Sequence, residues 1–314
     1  MQVDARFGGV VMDDVVGRFA HEDPRSAQAR RRFIALVANG NTRFDVAMAA
    51  LLVAAEDRPE TDVAGALSRL DSLGGRVREL VERARGTQAG VHPDEVAIGE
   101  LHRVLFDELG LRGANADEYG RPESSFLDVA LDRRRGLPIT LSIVYCAVAR
   151  RAGLDAVGIG LPGHFIAEFR GADMRVLVDP FDGGRRLTNE DAAEIVARVT
   201  GRSRFELGPQ HLQAVPARRT IVRVLENLKM AYVRARDFSR ALAAVERLLV
   251  VSPTAELVRD RGLLLRQVPM ADGVNLSAAW FDLDLYARLM AHAPDAPAIE
   301  RLARETWRDL GRNN

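Results

Sequence analysis

The sequence predicts an α+β fold that is mostly helical, with a small antiparallel sheet set between two helical regions. Three observations carry this. Apolar residues recur at helical spacing from Arg31 to Leu109 and again after Pro216. The segment Ile139 to Arg151 is apolar almost all round, which marks a central buried helix. Three short strand-like runs follow it, Ala156 to Gly160, His164 to Phe169 and Arg175 to Val178. With 314 residues, 47% of them hydrophobic, the chain is long enough for one large domain or two to three smaller ones.

In order along the chain, residues 1–30 read as a mixed N-terminal extension. A helical region covers 31–110: helices on Phe33, Leu36 and Val37, then on Phe44 to Ala55, are separated by a break at Asn39-Gly40-Asn41, and a third runs from Asp62 to about Ala84. After a polar linker from Gly86 to Pro93, Asp94 is placed to cap a helix carrying Ile98, Leu101, Val104, Leu105 and Leu109. Residues 111–200 form the core region, with an irregular stretch to Glu123, short helices at 126–134 and 139–151, and the strands. Pro138 suits the first turn of the second helix, where a missing N–H costs nothing. Residues 216–314 return to helix. With Tyr232 at the repeat's tyrosine, Leu225, Leu228, Ala241 and Pro253 fall on the remaining positions of a tetratricopeptide unit of about 34 residues. A degenerate second pair, 255–267 and 277–291, carries an insertion at Met270 to Asn275, and a helix at 298–310 caps the stack.

Composition excludes several function classes. Basic and acidic residues balance at 44 each, which leaves no global charge to attract nucleic acid or an anionic membrane. Lys229 is the only lysine, so no Gly-Lys-Ser/Thr phosphate loop exists. A lone cysteine, Cys146, rules out an internal disulfide, and the acidic N-terminus lacks a secretion signal, so a cytoplasmic address is expected. The longest uncharged run, Gly136 to Ala149, is well short of the roughly 20 apolar residues that a membrane span needs. The six histidines are scattered with no Cys/His cluster, so neither a metal nor a cofactor is expected. Gly158-Ile159-Gly160-Leu161-Pro162-Gly163 matches the dinucleotide fingerprint in letters but leads into a strand, where no helix N-terminus awaits a pyrophosphate. The run Asp132-Arg133-Arg134-Arg135 reads as a solvated helix end before it reads as an anion site.

The chemistry-bearing motifs are Ser125-Phe126-Leu127, then Arg134-Arg135-Gly136-Leu137-Pro138-Ile139-Thr140-Leu141-Ser142, then Leu161-Pro162-Gly163-His164-Phe165, then Val178-Asp179-Pro180-Phe181 with Gly183-Gly184. Their order resembles the transglutaminase-like core, in which a Gly-x-Cys opens a buried helix, a His begins the next strand and an Asp-Pro ends the strand after it. From about Arg31 onward the chain resembles the bacterial transglutaminase-like and tetratricopeptide proteins, often called the SirB family, although Ser124 stands where that family often has Asn. The resemblance implies a papain-like transglutaminase core followed by tetratricopeptide-like helical hairpins. It also implies His164 and Asp179 as the base and its orienter, with Pro138 on the nucleophile's position.

Nothing nearby replaces the thiol simply. Cys146 lies eight residues further on, about 12 Å along the helix and about 80° around it, and reads as a small core residue. The hydroxyls of Thr140 and Ser142 need an aligned base and can as readily bond back within their own helix. Glu168, on His164's strand face, is either a third polar member or solvated. Two functions remain open. One is a non-catalytic domain acting as a cytoplasmic protein-interaction or regulatory scaffold, holding a protein or peptide on Arg223, Glu226, Met230, Val233 and Arg234 of the repeat's concave face. The other is a hydrolase or acyltransferase that uses the His164–Asp179 pair to activate water or a hydroxyl.

Overall fold

Pro24 opens α1 (Pro24–Val37), with Asp23 accepting from the Arg25 N–H at 2.7 Å. The computed structural model describes residues 23–38, 44–87, 90–268 and 274–313. Helix thus starts inside the extension expected over 1–30: Ala29 and Arg30 are buried, and Arg30 Nε donates to Glu56 Oε1 at 2.8 Å. Residues 1–22 and the expected break at 39–41 lie outside the described residues.

Asp45 caps α2 (Val46–Asp57) by accepting from the N–H groups of Ala47 and Met48, and α3 (Val63–Thr87) follows. The cap of α4 (Pro93–His102) differs from expectation. His92 Nδ1 accepts from the Asp94 N–H at 3.2 Å, so Asp94 lies inside the first turn. Its buried carboxylate reaches across the fold and accepts from the N–H groups of Ala172, Asp173 and Met174 at 3.1, 2.9 and 3.2 Å. These bonds, that from Asp173 foremost, hold its pKa below the usual carboxylate value against the opposing effect of burial.

A π-helical turn, Arg103–Glu108, leads to β1 (Arg112–Gly113), the short α5 (Ala116–Tyr119), a 3-10 turn (Pro122–Ser125), α6 (Leu127–Arg133) and β2 (Arg135–Gly136). β1 and β2 pair in parallel, Gly113 opposite Gly136, a ladder too short to show in sequence. Pro138 is the first residue of α7 (Pro138–Arg151), all but three of whose residues are buried. The main sheet is an antiparallel meander of β3 (Asp155–Leu161), β4 (His164–Arg170), β5 (Arg175–Asp179) and β6 (Arg185–Leu187), followed by α8 (Asn189–Thr200). One sheet face carries Ile159, Leu161 and Ile166, which cluster with Ala192, Ile195 and Val196 of α8. Both β3 and β4 also pack on α7.

The remaining helices are α9 (Ala217–Ala235), α10 (Phe238–Val251), α11 (Ala255–Leu265), α12 (Val274–Leu289) and α13 (Ala296–Asn313). Residues 270–273 of the expected insertion lie outside the described residues, while 274 and 275 already belong to α12. The chain divides into two compact units. The larger is drawn from Asp23–Leu36 and Asn41–Val224, so the helical region and the core expected as separate domains share one interior; the smaller is formed mainly by residues from Leu225 onward. Within the smaller unit Leu225, Leu228, Tyr232 and Ala241 are all buried, as the repeat register requires. A buried ion pair, Arg261 with Asp282 at 2.7 and 2.6 Å, ties α11 to α12. Among the described residues no helix is long and apolar enough to cross a membrane.

His102 supplies a test of the larger unit's packing. Its ring lies edge-on to Phe106 and Tyr145 at 5.3 and 5.7 Å, its Nε2 is 3.2 Å from the Tyr145 hydroxyl, and burial depresses its pKa from 6.5 to about 4. The folded imidazole therefore stays neutral where an unfolded one takes up a proton. Stability is unaffected by this group above its unfolded pKa and falls, by up to about 3 kcal/mol, as pH drops from 6.5 towards 4. Urea unfolding of wild type and His102→Gln over that range should give curves that converge in acid, since the variant lacks this loss.

Candidate functional site

Two turns place the candidate pair. Leu161 and His164 are opposite each other across the β3–β4 hairpin, joined by Pro162 and Gly163. Proline presets its own φ, and Gly163 supplies φ +72°, the combination of a type II turn. A side chain at Gly163 would be strained there and would also sit 2.9 Å from Val199. One strand further, Ala167 opposite Val178 sets a register that brings Asp179 opposite Ile166, on the sheet face that also bears His164. The turn after Asp179 is closed by its carbonyl, which accepts from the N–H groups of Asp182 and Gly184 at 3.2 and 2.9 Å.

His164 and Asp179 are 7% and 3% exposed. Nε2 of His164 lies 2.9 Å from Asp179 Oδ2, and Asp179 Oδ1 accepts from the Phe181 N–H at 3.0 Å. Nε2 is thus the ring nitrogen engaged with the carboxylate, and Nδ1 is the one outside that bond. No described residue hydrogen-bonds to Nδ1. What lies beside the imidazole is the ring of Phe181, edge-on at 5.9 Å. That ring also meets Tyr119 edge-on at 6.0 Å and touches Gly113, where a Cβ would come within 2.7 Å of it. Gly113 in turn pairs with Gly136, two residues before Pro138. Alternation along β4 sends Phe165 to the other face, where it shares a cavity with Ser142, Ile143 and Cys146 of α7.

The hydroxyls weighed as substitute nucleophiles are otherwise engaged. Thr140 Oγ1 donates to the Ser124 carbonyl at 3.2 Å and Ser142 Oγ to the Phe165 carbonyl at 3.4 Å, so neither bonds back along its helix. Cys146 is half-buried and lines the cavity, which differs from a closed core position; burial still pushes its thiol up to about 12, away from nucleophilic use. Glu168 turns to Arg170 at 2.6 Å and to Arg175 at 3.7 Å and has no part in the pair. In the basic run Arg134 ends α6 with φ +58°, and Arg135 donates to the Gly113 carbonyl and to Asn115. The fingerprint-like glycines lie on the β3–β4 hairpin. One grouping among the described residues has metal-ligand spacing, His92 with Asp94 and Asp173. Asp94's oxygens are engaged by three N–H groups, which explains the grouping as a turn anchor.

Of the five residues expected on the repeat's binding face, Arg223 has another employment. Its guanidinium donates to the carbonyls of Leu161 and His164 at 2.9 and 2.6 Å and lies over the Phe165 ring at 5.3 Å. Burial lowers its pKa from the ordinary arginine value. Sequence register alone missed this because the contact joins residues some sixty positions apart. Glu226 is half-buried and pairs with Lys229 at 2.6 Å, while Met230, Val233 and Arg234 are exposed.

Comparison with known proteins follows this geometry. Residues 65–226 match the transglutaminase-like superfamily and residues 228–304 match the tetratricopeptide repeat. A UPF0162 protein of Xylella fastidiosa is 34% identical over 232 residues, covering 72% of this chain and 79% of that protein. A UPF0162 protein of Pseudomonas aeruginosa is 31% identical over 236 residues, covering 74% and 82%. The F-box only protein 21 of Mus musculus is 28% identical over 109 residues, 32% of this chain and 17% of that one. No solved structure gives a significant match. The chain belongs to the transglutaminase-like superfamily, with UPF0162 proteins as its bacterial homologues, and carries its transglutaminase-like domain ahead of tetratricopeptide-like helices.

The role of Arg223 is open to direct measurement. Arg223→Met keeps the stem but removes two charged hydrogen bonds to the His164 hairpin, and should lower stability by about 3 kcal/mol. Arg223→Lys should recover only part of this, because an ammonium lacks the planar fork that serves both carbonyls. Urea midpoints at unchanged slope report both values.

Proposed function

We propose that this member of the transglutaminase-like superfamily is a non-catalytic domain joined to a tetratricopeptide-like module, and that it works in the cytoplasm as a protein-interaction or regulatory scaffold. The observation that carries the reading is the state of the position the superfamily resemblance gives to a nucleophile. Pro138 is buried there as the first residue of α7, and the imidazole's neighbours are its own Asp179 and the Phe181 ring. Thr140 and Ser142, the hydroxyls in the first turns of α7, are each bonded to a carbonyl.

The C-terminal helices support the interaction half of the reading. Met230 and Val233 on α9 are 45% and 39% exposed, large apolar side chains next to the charged Arg234. With Glu226 they form the face proposed to hold a protein or peptide partner. A hydrolase or acyltransferase is favoured by a single feature, the His164–Asp179 hydrogen bond, the arrangement by which a carboxylate orients an imidazole base.

Two experiments separate the readings. Met230→Glu combined with Val233→Glu should cut recovery of cross-linked partner from the native cell at least about tenfold, as loss of central apolar anchors does. His164→Gln should leave recovery intact. Partner capture that depends on His164 and ignores the double substitution would remove the scaffold reading. In Pro138→Cys, the buried thiol should react with iodoacetamide no faster than a peptide thiol with pKa about 8.5. Faster alkylation at neutral pH, in a protein that still melts cooperatively, would mean that the imidazole reaches position 138 and would restore the enzyme.

A further inference from the structure

A cavity of about 430 Å³ lies where the middle of α7, the start of α2, strand β3 and the first turn of α9 meet. Neither His164 nor Asp179 lines it. Its size falls within the roughly 300–1,000 Å³ typical of small-molecule sites. Most of its wall is apolar, with Phe44, Ile143, Ala147, Val157, Phe165 and Val215 as the main surfaces. Ala47, Ala156 and Ala217 contribute only methyl groups to the rest of the wall.

The few polar groups on the wall differ in how they are engaged. Ser142 Oγ donates to the Phe165 carbonyl at 3.4 Å, and Thr220 Oγ1 donates to the Pro216 carbonyl at 3.3 Å. The Asp45 carboxylate caps α2 and pairs with Arg151 at 3.5 Å. The Cys146 thiol is kept protonated, as an apolar enclosure does. Arg150 alone is unmatched. It lines the cavity, its side chain is exposed, and no described group hydrogen-bonds to it or lies within ion-pairing distance. The cavity is therefore a largely apolar recess in which Arg150 has no ion-pair partner among the described residues, while the wall's carboxylate, Asp45, shares Arg151 with Asp71.

We propose that this cavity binds a small amphipathic monocarboxylate, with its hydrocarbon part against Phe44, Ile143 and Phe165 and its carboxylate on the Arg150 guanidinium. The complementarity is of charge and of shape. One guanidinium matches one anionic charge, and its planar fork presents two parallel N–H donors to the two oxygens of a carboxylate. Cys146 sits in the wall, so an occupant covers the protein's sole thiol.

Decanoate and decanol are suitable probes, since they share a chain and differ in the charged head. Calorimetric titration of the full chain should give saturable one-to-one binding of decanoate, about fivefold tighter than decanol. Arg150→Gln, a change at an exposed side chain, should abolish that preference and leave decanol binding unchanged. Decanoate should also slow alkylation of Cys146 in wild type, which places the ligand in this cavity independently of affinity. Cys146→Phe should exclude both probes while the protein still unfolds cooperatively. Absence of saturable decanoate binding would overturn the proposal. So would equal affinity for the two probes, an undiminished preference in Arg150→Gln, or binding that leaves Cys146 alkylation unchanged.

Discussion

Helix α7 is apolar on nearly every face, and the larger unit is built to satisfy that constraint. Eleven of its residues are buried, from Pro138 to Ala149, so it must be covered along most of its surface. Helices α2, α3 and α6 pack against it, as do β3 and β4. At about 1.5–3 kcal/mol for each large aliphatic side chain removed from water, Leu141, Ile143, Val144 and Val148 make it the main source of cohesion in this unit. A helix so enclosed needs its ends solved by other means. Proline at its first position gives up no hydrogen bond, and at its far end Arg151 donates to Asp71 at 2.6 Å.

The same constraint explains why a His–Asp pair can persist where no nucleophile stands. Asp179 is buried, and its two oxygens are engaged by His164 and by the Phe181 N–H. Removing the imidazole would leave a buried carboxylate short of a partner, which costs about 3–5 kcal/mol when a buried pair is broken. Arg223 meets the same need at the backbone, taking up the carbonyls of the hairpin that presents His164. Each member is accounted for by satisfaction of buried polar groups, independently of any reaction. Chemical history and structural necessity therefore leave the same trace in the sequence, and the motif alone cannot distinguish them.

What was legible in the sequence was whatever depends on local pattern. The all-round apolar character of α7, the strand order and the His164–Asp179 spacing all follow from periodicity and motif, and the superfamily match over 65–226 agrees with that organisation. What escaped depends on distant partners. β1 and β2 are two residues each and owe their existence to pairing across more than twenty positions. Strand β6 is three residues long and owes its existence to pairing with β5, whereas α8 escaped in spite of local signals, a Thr188–Asp191 capping box and Gly201 at its end. Asp94 reads as a cap because Asp commonly is one, whereas its carboxylate is taken by a turn nearly eighty residues away. Arg223 falls on the expected binding face of a repeat and is claimed by the core hairpin.

The cavity beside α7 belongs to the same class of unreadable features, and its position bears on how the helix divides its roles. Pro138 and Cys146 stand about 12 Å apart along the axis and about 80° around it, so the helix start and the cavity wall are different places on one element. The thiol near 12 in pKa is held in its neutral form by its surroundings, whereas a nucleophilic thiol needs the opposite treatment, a nearby positive charge or helix N-terminus. Arg150 acts in that direction but is outweighed by burial. A cysteine so placed is a slow nucleophile and useful as a wall. Pro138 stands at the helix start, while the open space lies one to three turns further along.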